Sequence, residues 1–347
     1  MTTIRCLITG GSGFLGINLV RLLLAKSRPV RSLDIAEFDY FEKGHIEAVL
    51  GDIRDTDTVE RAMIDADIVV HCAAALPLAS DAEIHATDVD GTRILLDAAW
   101  RHGVSRFIFI SSTAVYGIPD HHPIHEDDAL QGVGAYGYAK IEAERLCADY
   151  RARGLCVSIL RPKSFVGPER LGAFELLYDW AFDGHAFPVL GRGDNMYQLL
   201  DVEDLCQVIY LCMTLDTKVV DGTFNVGAKE FSTMRDNFQS VLDRAGHGKR
   251  VVALPAKPAV VLLRLLAALG LSPLYRWIYE TADHESVVAI DRLQARLGFT
   301  PQYSNRDALL RNYDWYVAHR GEFQGRYGVS HRLPWKRGVL RFAKWLF

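Results

Sequence analysis

The chain of 347 residues has no excess of charge of either sign: 39 Lys and Arg stand against 43 Asp and Glu, for a formal charge of −4. That excludes a broadly basic nucleic-acid binder and leaves room only for a local patch. It also lacks metal-ligand spacing. The six cysteines, at 6, 72, 147, 156, 206 and 212, form no Cys-x-x-Cys pair and mostly sit inside apolar runs. Buried free thiols in a reducing compartment, with no metal centre, are expected. Long hydrophobic runs are missing too. The longest, 259–271, is broken by Arg264, and its about 13 residues fall short of the roughly 20 that span a bilayer. Nothing at the start resembles a leader, because Met1-Thr-Thr-Ile-Arg-Cys-Leu-Ile-Thr runs straight into a strand-like stretch. A soluble cytoplasmic protein is therefore expected. Its 49% hydrophobic content excludes disorder over most of the length, since that much apolar surface can be buried.

What the chain has is a rhythm of alternating periods. Residues 4–9, 30–34, 47–50, 68–73, 107–111 and 155–160 read as strands, and 14–26, 82–101 and 135–152 as helices. Strands that alternate with helices predict an α/β fold with a doubly wound parallel (Rossmann) sheet and right-handed crossovers. After Arg161-Pro162 the pattern becomes helical stretches (172–183, 203–215, 232–245, 258–269, 305–319) between Gly- and Pro-containing loops. The expected organisation is a nucleotide-binding domain over 1–165, with strand returns from the second half. A smaller mixed α/β substrate lobe follows over 166–330, then a tail over 331–347.

Thr9-Gly10-Gly11-Ser12-Gly13-Phe14-Leu15-Gly16 has Gly-x-x-Gly-x-x-Gly spacing between an expected strand and an expected helix. Gly10 permits a tight turn, Gly13 lets backbone approach a pyrophosphate, and Gly16 lets the helix lie close to the sheet. The helix start, at Phe14 and Leu15, turns its N–H groups and partial positive charge to the phosphates. A glycine-rich turn without ligand is the competing reading, and the strand–turn–helix setting weakens it. Asp34 ends the second strand, 18 residues past Gly16. A carboxylate there accepts hydrogen bonds from both adenosine ribose hydroxyls and repels a 2′-phosphate, which favours NAD over NADP. Asp52 and Ile53, after the third strand, are placed to grip the adenine, although Gly-Asp is also a common turn pair.

Tyr136-Gly137-Tyr138-Ala139-Lys140 gives Tyr-x-x-x-Lys. Residues four apart share a helix face. The Lys140 ammonium then lowers the pKa of the Tyr136 phenol, which can take a proton from an alcohol as hydride leaves the same carbon. Ser111-Ser112-Thr113-Ala114-Val115-Tyr116-Gly117 follows a buried strand and so reaches the same sheet edge with a hydroxyl.

With these motifs in this order, the chain resembles the extended short-chain dehydrogenase/reductases, the group that contains nucleotide-sugar epimerases, dehydratases and 3β-hydroxysteroid dehydrogenases. The resemblance runs from residue 3 to about residue 230. It implies Ser112 as hydroxyl partner, Tyr136 as catalytic base and Lys140 as its cofactor-binding neighbour. It implies NAD contacts at Gly10, Gly13, Gly16, Asp34, Asp52 and Ile53, and it matches His71-Cys72-Ala73-Ala74 to the segment lining the dinucleotide. It also implies a homodimer through a four-helix contact that includes 82–101 and 135–152.

Within the family, 4,6-dehydratases usually carry Asp-Glu right after the Ser/Thr. Here Thr113 and Ala114 stand there, and neither does acid–base work, so the pattern is closer to the epimerases, with Thr113 helping to place the sugar. Three positions depart from the family pattern: Asp88 begins Asp88-Val89-Asp90-Gly91-Thr92 where Asn is usual, Ser164 replaces an Asn, and Tyr197 replaces an Arg for the diphosphate. Arg192, Arg170 or Lys163 are candidate substitutes for that cation. Asp120-His121-His122-Pro123-Ile124-His125 is read as a solvated loop rather than a metal site. In the tail, Trp335, Val339, Phe342 and Leu346 share one helical face while Lys336, Arg337, Arg341 and Lys344 are interleaved. Such a helix suits peripheral contact with the inner face of a membrane, or packing on the protein itself. The leading expectation is an NAD-dependent epimerase of a sugar, nucleotide-activated, with that sugar as its small-molecule substrate and no nucleic acid as partner. The alternatives are a 3β-hydroxysteroid-type dehydrogenase or an epimerase of a lipid-linked sugar.

Overall fold

The computed structural model describes residues 5–77, 79–169, 172, 174–268, 284–323, 344 and 347. Three apolar residues closed by one polar residue, with every position buried, make the central strands, β1 (Cys6–Thr9) and β4 (Ile68–His71). A strand buried on both faces has no polar side to show, which explains the continuous hydrophobicity. Around them lie β2 (Val30–Asp34), β3 (Glu47–Leu50), β5 (Arg106–Ile110), β6 (Cys156–Pro162) and β7 (Gly222–Val226). The seven form one parallel sheet in the order β7-β6-β5-β4-β1-β2-β3. Cys6 lies opposite Val30 on one side and Ile68 on the other. Strand order reverses at β1 and β4, and open α/β sheets bind ligands outside the strand ends at such a point.

Alternate residues face opposite layers. Leu7, Val69, Phe107, Phe109 and Val157 pack against α2 (Thr56–Met63), α4 (Thr92–Arg101) and α5 (Gly134–Ala152) through Val59, Leu95, Leu96 and Ala143. Helices α1 (Phe14–Ala25) and α7 (Val202–Thr214) pack on each other and against the sheet. The chain forms two compact units. The first is 1–163, 202–227 and 289–300, and holds the sheet. The second is 164–201, 228–288 and 301–347. Its core gathers Leu177 and Tyr178 of α6 (Phe174–Phe182), Val241 of α8 (Met234–Ala245), and Leu309, Tyr313 and Tyr316 of the helix Asn305–His319.

The stretch expected as one helix over 82–101 is not a single α-helix. A short α3 (Asp81–His85) runs into a π-helical turn, Ala86–Gly91, before α4 begins. Thr92 donates its hydroxyl proton to the Asp88 carbonyl at 2.6 Å, and a side chain bonded into the ladder widens a helical turn. In the tail, Trp335, Lys336, Arg337, Val339, Arg341, Phe342 and Leu346 lie outside the described residues. Lys344 forms ion pairs with Asp183 at 2.7 Å and Asp179 at 3.5 Å, and the Phe347 ring lies 5.9 Å from that of Trp180. Among the described residues no helix is long and apolar enough to cross a membrane.

Candidate active site

The glycine loop leaves β1 at Gly10, whose φ of +72° is a left-handed conformation. A Cβ there would stand 2.7 Å from the Ala73 nitrogen, so a side chain would force apart the ends of β1 and β4. Gly16 is fitted as closely, since its Cβ would meet the Gly10 carbonyl oxygen at 2.3 Å. Exposed Gly13 is the N-cap of α1, and the side chains of Phe14 and Leu15 are buried beneath it. No side chain caps this helix and its first turn holds no acid, so its positive end suits an anion.

At the end of β2, Asp34 accepts through Oδ2 from the Ser12 N–H and through Oδ1 from the Ala36 N–H, each at 2.9 Å. Burial raises its pKa, partly opposed by those N–H groups. Asp52 is clasped by Arg54, whose Nη2 lies 2.6 Å from Oδ2, and these bonds lower its pKa. Ile53 is buried, and its side chain lies where a Cβ on Gly91 would fall. After β4, Ala73 donates its N–H to Thr9 Oγ1 at 3.3 Å, and Ala74 is exposed. A backbone cradle closed to side chains, an uncapped helix start and an acid at the second strand's end fit a dinucleotide without a 2′-phosphate.

One sheet interval away, Ser111 and Ser112 follow β5 and do different work. Ser111 is buried, and its hydroxyl donates to Glu144 at 2.5 Å. Half-buried Ser112 caps the short turn Thr113–Tyr116, accepting from the Ala114 N–H at 3.1 Å, which leaves its O–H as donor. A Cβ on Gly137 would lie 2.9 Å from the Ala114 carbonyl oxygen. The glycine thus lets the start of α5, with half-buried Tyr136, press against the turn that bears Ser112. Lys140, one turn further, is buried, with Nζ 5.6 Å from the Tyr136 ring centre and 5.1 Å from that of Phe109.

Two features were not read from the sequence. The Lys140 ammonium pairs with the buried Asp88 carboxylate at 2.9 Å and reaches the Ile110 carbonyl at 3.4 Å. Burial pulls the Lys140 pKa down, but Asp88 and the Tyr136 phenol outweigh it, and the result lies above the ordinary lysine value. The second feature is a hydrogen-bond chain centred on His71. Nδ1 lies 2.8 Å from Thr9 Oγ1 and Nε2 lies 2.9 Å from Thr92 Oγ1. Because Thr92 spends its proton on the Asp88 carbonyl, Nε2 carries the ring proton and Nδ1 accepts from Thr9. Burial pushes the His71 pKa down to about 3, so the ring is neutral. The sequence marks the first only by Asp88 standing where the family pattern usually has Asn, and it carries no local mark of the second.

Thr113 is half-buried in the first unit. In the second unit, the Ser164 carbonyl accepts from the Leu200 N–H at 3.1 Å, and the Tyr197 carbonyl accepts from the Asn237 side chain at 3.2 Å. Arg192 is exposed and its charge is already offset by Asp194 at 2.6 Å. Lys163 is buried, and burial pushes its pKa down to about 7, which makes it a weak substitute for an arginine. Arg170 lies outside the described residues. His121, on an exposed loop, bridges Asp120 and Asp128 at 2.9 Å each.

The family model described as the NAD dependent epimerase/dehydratase family matches residues 6–227, and the chain belongs to that family. Its cofactor is NAD. Over 336 residues it is 34% identical to the uncharacterized protein y4nG of Sinorhizobium fredii, covering 96% of this chain and 84% of that one. It is 29% identical over 335 residues to a dTDP-glucose 4,6-dehydratase of Streptomyces antibioticus, covering 90% and 92%. Among solved structures, the Bordetella bronchiseptica enzyme WbmG in complex with NAD is similar with a TM-score of 0.74 and 25% identity, over 92% of this chain and 95% of that one.

Proposed function

We propose that the protein is an epimerase that inverts a carbinol carbon of a nucleotide-activated sugar. The observation that supports this most is the set Ser112, Tyr136 and Lys140 around one turn, with Thr113 and Ala114 beside Ser112 where a dehydratase needs an acid and a base. Ser112 donates a hydrogen bond to the reacting oxygen. Tyr136, its phenolate favoured by the Lys140 ammonium, removes the hydroxyl proton as the carbon gives up hydride. Bound NAD supplies the acceptor for that hydride and its donor on return. Once the resulting ketone has turned its other face inward, Tyr136 restores the proton to the oxygen. Thr113 hydrogen-bonds the sugar and takes no proton, because an aliphatic hydroxyl is far too weak an acid. Asp88, paired with Lys140 at 2.9 Å, holds that ammonium beside Tyr136.

The test is an NMR screen of UDP- and dTDP-hexoses with the purified protein. An inverted sugar with unchanged mass is expected. A dehydrated keto-deoxy sugar would overturn the reading in favour of the dehydratases. Net reduction of added NAD by a steroid alcohol would overturn it in favour of a dehydrogenase. Denaturing the purified protein should release NAD, since a cofactor that is returned to its starting state each cycle has no need to exchange.

A further inference from the structure

We propose that Asp88 is a positioning residue that sets the ionisation of Tyr136: its carboxylate holds the Lys140 ammonium, offsets its charge, and keeps the Tyr136 phenol protonated to higher pH than an uncharged side chain at 88 would. This rests on the reading of Tyr136 as the proton-transfer group.

The geometry is closed around one ion pair. The ammonium and the carboxylate are both buried, 2.9 Å apart. Asp88 is fixed from three sides. Its Oδ2 accepts from the Ala75 N–H at 3.3 Å, on the segment that follows Ala73 and Ala74. Its carbonyl accepts from Thr92, which His71 and Thr9 lock to β4 and β1. The π-helical turn gives the residue a place that an α-helical register would not.

The other titratable groups around Lys140 are either uncharged at neutral pH or, for Glu144, already paired with an opposite charge. From β4 and the residue after it come His71, held neutral by burial, and Cys72, whose thiol burial pushes up to about 12. From α5 comes Cys147, also raised by burial. From β5 come only the Phe109 ring and the Ile110 carbonyl. Glu144, one turn along α5, is tied to Arg161. Among the described residues, Asp88 is thus the carboxylate in contact with the ammonium. An ammonium next to a phenol lowers its pKa, and a carboxylate at 2.9 Å from that ammonium returns most of the effect. An asparagine of the same shape keeps an acceptor for Lys140 without the charge.

The experiment is an ultraviolet titration of tyrosinate in the NAD-bound full chain, with the Tyr136→Phe titration subtracted to isolate Tyr136. It is run on the wild type, Asp88→Asn and Asp88→Ser. Both variants should titrate with a midpoint lower by about one pH unit, a roughly tenfold larger phenolate fraction below the midpoint. NAD binding serves as the check on folding. An unchanged midpoint in both variants overturns the proposal. So does loss of NAD binding in both, because Asp88 would then serve the fold alone. A purely structural Asp88 would not move the midpoint. If no tyrosinate step separates wild type from Tyr136→Phe, and Tyr136→Phe still turns over sugar, the underlying reading fails instead.

Discussion

Helix α5 carries two buried charges one turn apart, and they have different surroundings. Glu144 faces Arg161, with contacts down to 2.5 Å, and both partners are held by further bonds: Ser111 donates to Glu144, and Arg161 donates to the Tyr116 hydroxyl and the Glu126 carbonyl. Lys140 faces Asp88 with one weak carbonyl contact beyond it, and it stands beside a half-buried phenol. A saturated pair has nothing left to offer a substrate. A pair with a spare donor next to an ionisable ring does. The sequence distance is four residues, so the difference comes from which strand ends each side chain meets.

That contrast is open to direct tests. The largest expected effect is on turnover in Tyr136→Phe, which should fall about 100- to 10,000-fold in a sugar-interconversion assay with NAD binding nearly intact; wild-type rates would erase the distinction between the two pairs. Arg161→Met should do the reverse. Leaving Glu144 buried and unpaired should cost about 3–5 kcal/mol in thermal or denaturant unfolding, while the Tyr136 titration midpoint of the folded fraction stays put. Asp34→Ala should weaken NAD about 10- to 100-fold by calorimetry, through loss of charge-assisted bonds to the ribose, without lowering the melting temperature to the extent that Arg161→Met does.

The smallest effect concerns Lys163, whose folded pKa, about 7, lies below the ordinary lysine value. Above about pH 7 the unfolded chain holds a proton there that the folded chain has lost, so this group makes stability rise with pH. The rise should show between about pH 7 and 8.5. Beyond that the buried thiols of Cys6, Cys147 and Cys212, whose pKa values burial raises, act in the opposite direction. Lys163→Met should flatten the slope of unfolding free energy across that window, and an unaltered slope would show the amine to be charged when folded.

Much of the fold was legible because its signals are local. The apolar run at 68–70 and the glycines at 10, 13 and 16 each need only a few neighbours to declare a buried strand or a phosphate-binding turn. The Tyr136 and Lys140 spacing is local in the same sense. What was not legible depends on partners distant in sequence. Gly222–Val226 is a short run whose place in the sheet is fixed by pairing with β6, some 60 residues earlier. The π-helical turn exists where Asp88 meets Lys140, 52 residues on, and no periodicity within 82–101 announces it. The chain Thr9–His71–Thr92 joins three elements and reads in sequence as three unrelated polar residues. Departure from the family's usual Asn at position 88 was the one visible mark of the Lys140 partner, and its meaning required the geometry.

The central claim is that hydride leaves the sugar carbon and returns to that same carbon without meeting solvent. It is tested most directly by running the interconversion in deuterium oxide and reading the inverted carbon by NMR and mass. Product whose inverted carbon carries only the original hydrogen is the predicted result. Deuterium at that carbon would mean that a proton rather than a hydride was exchanged, and the roles given to Tyr136, Lys140 and the dinucleotide would not stand.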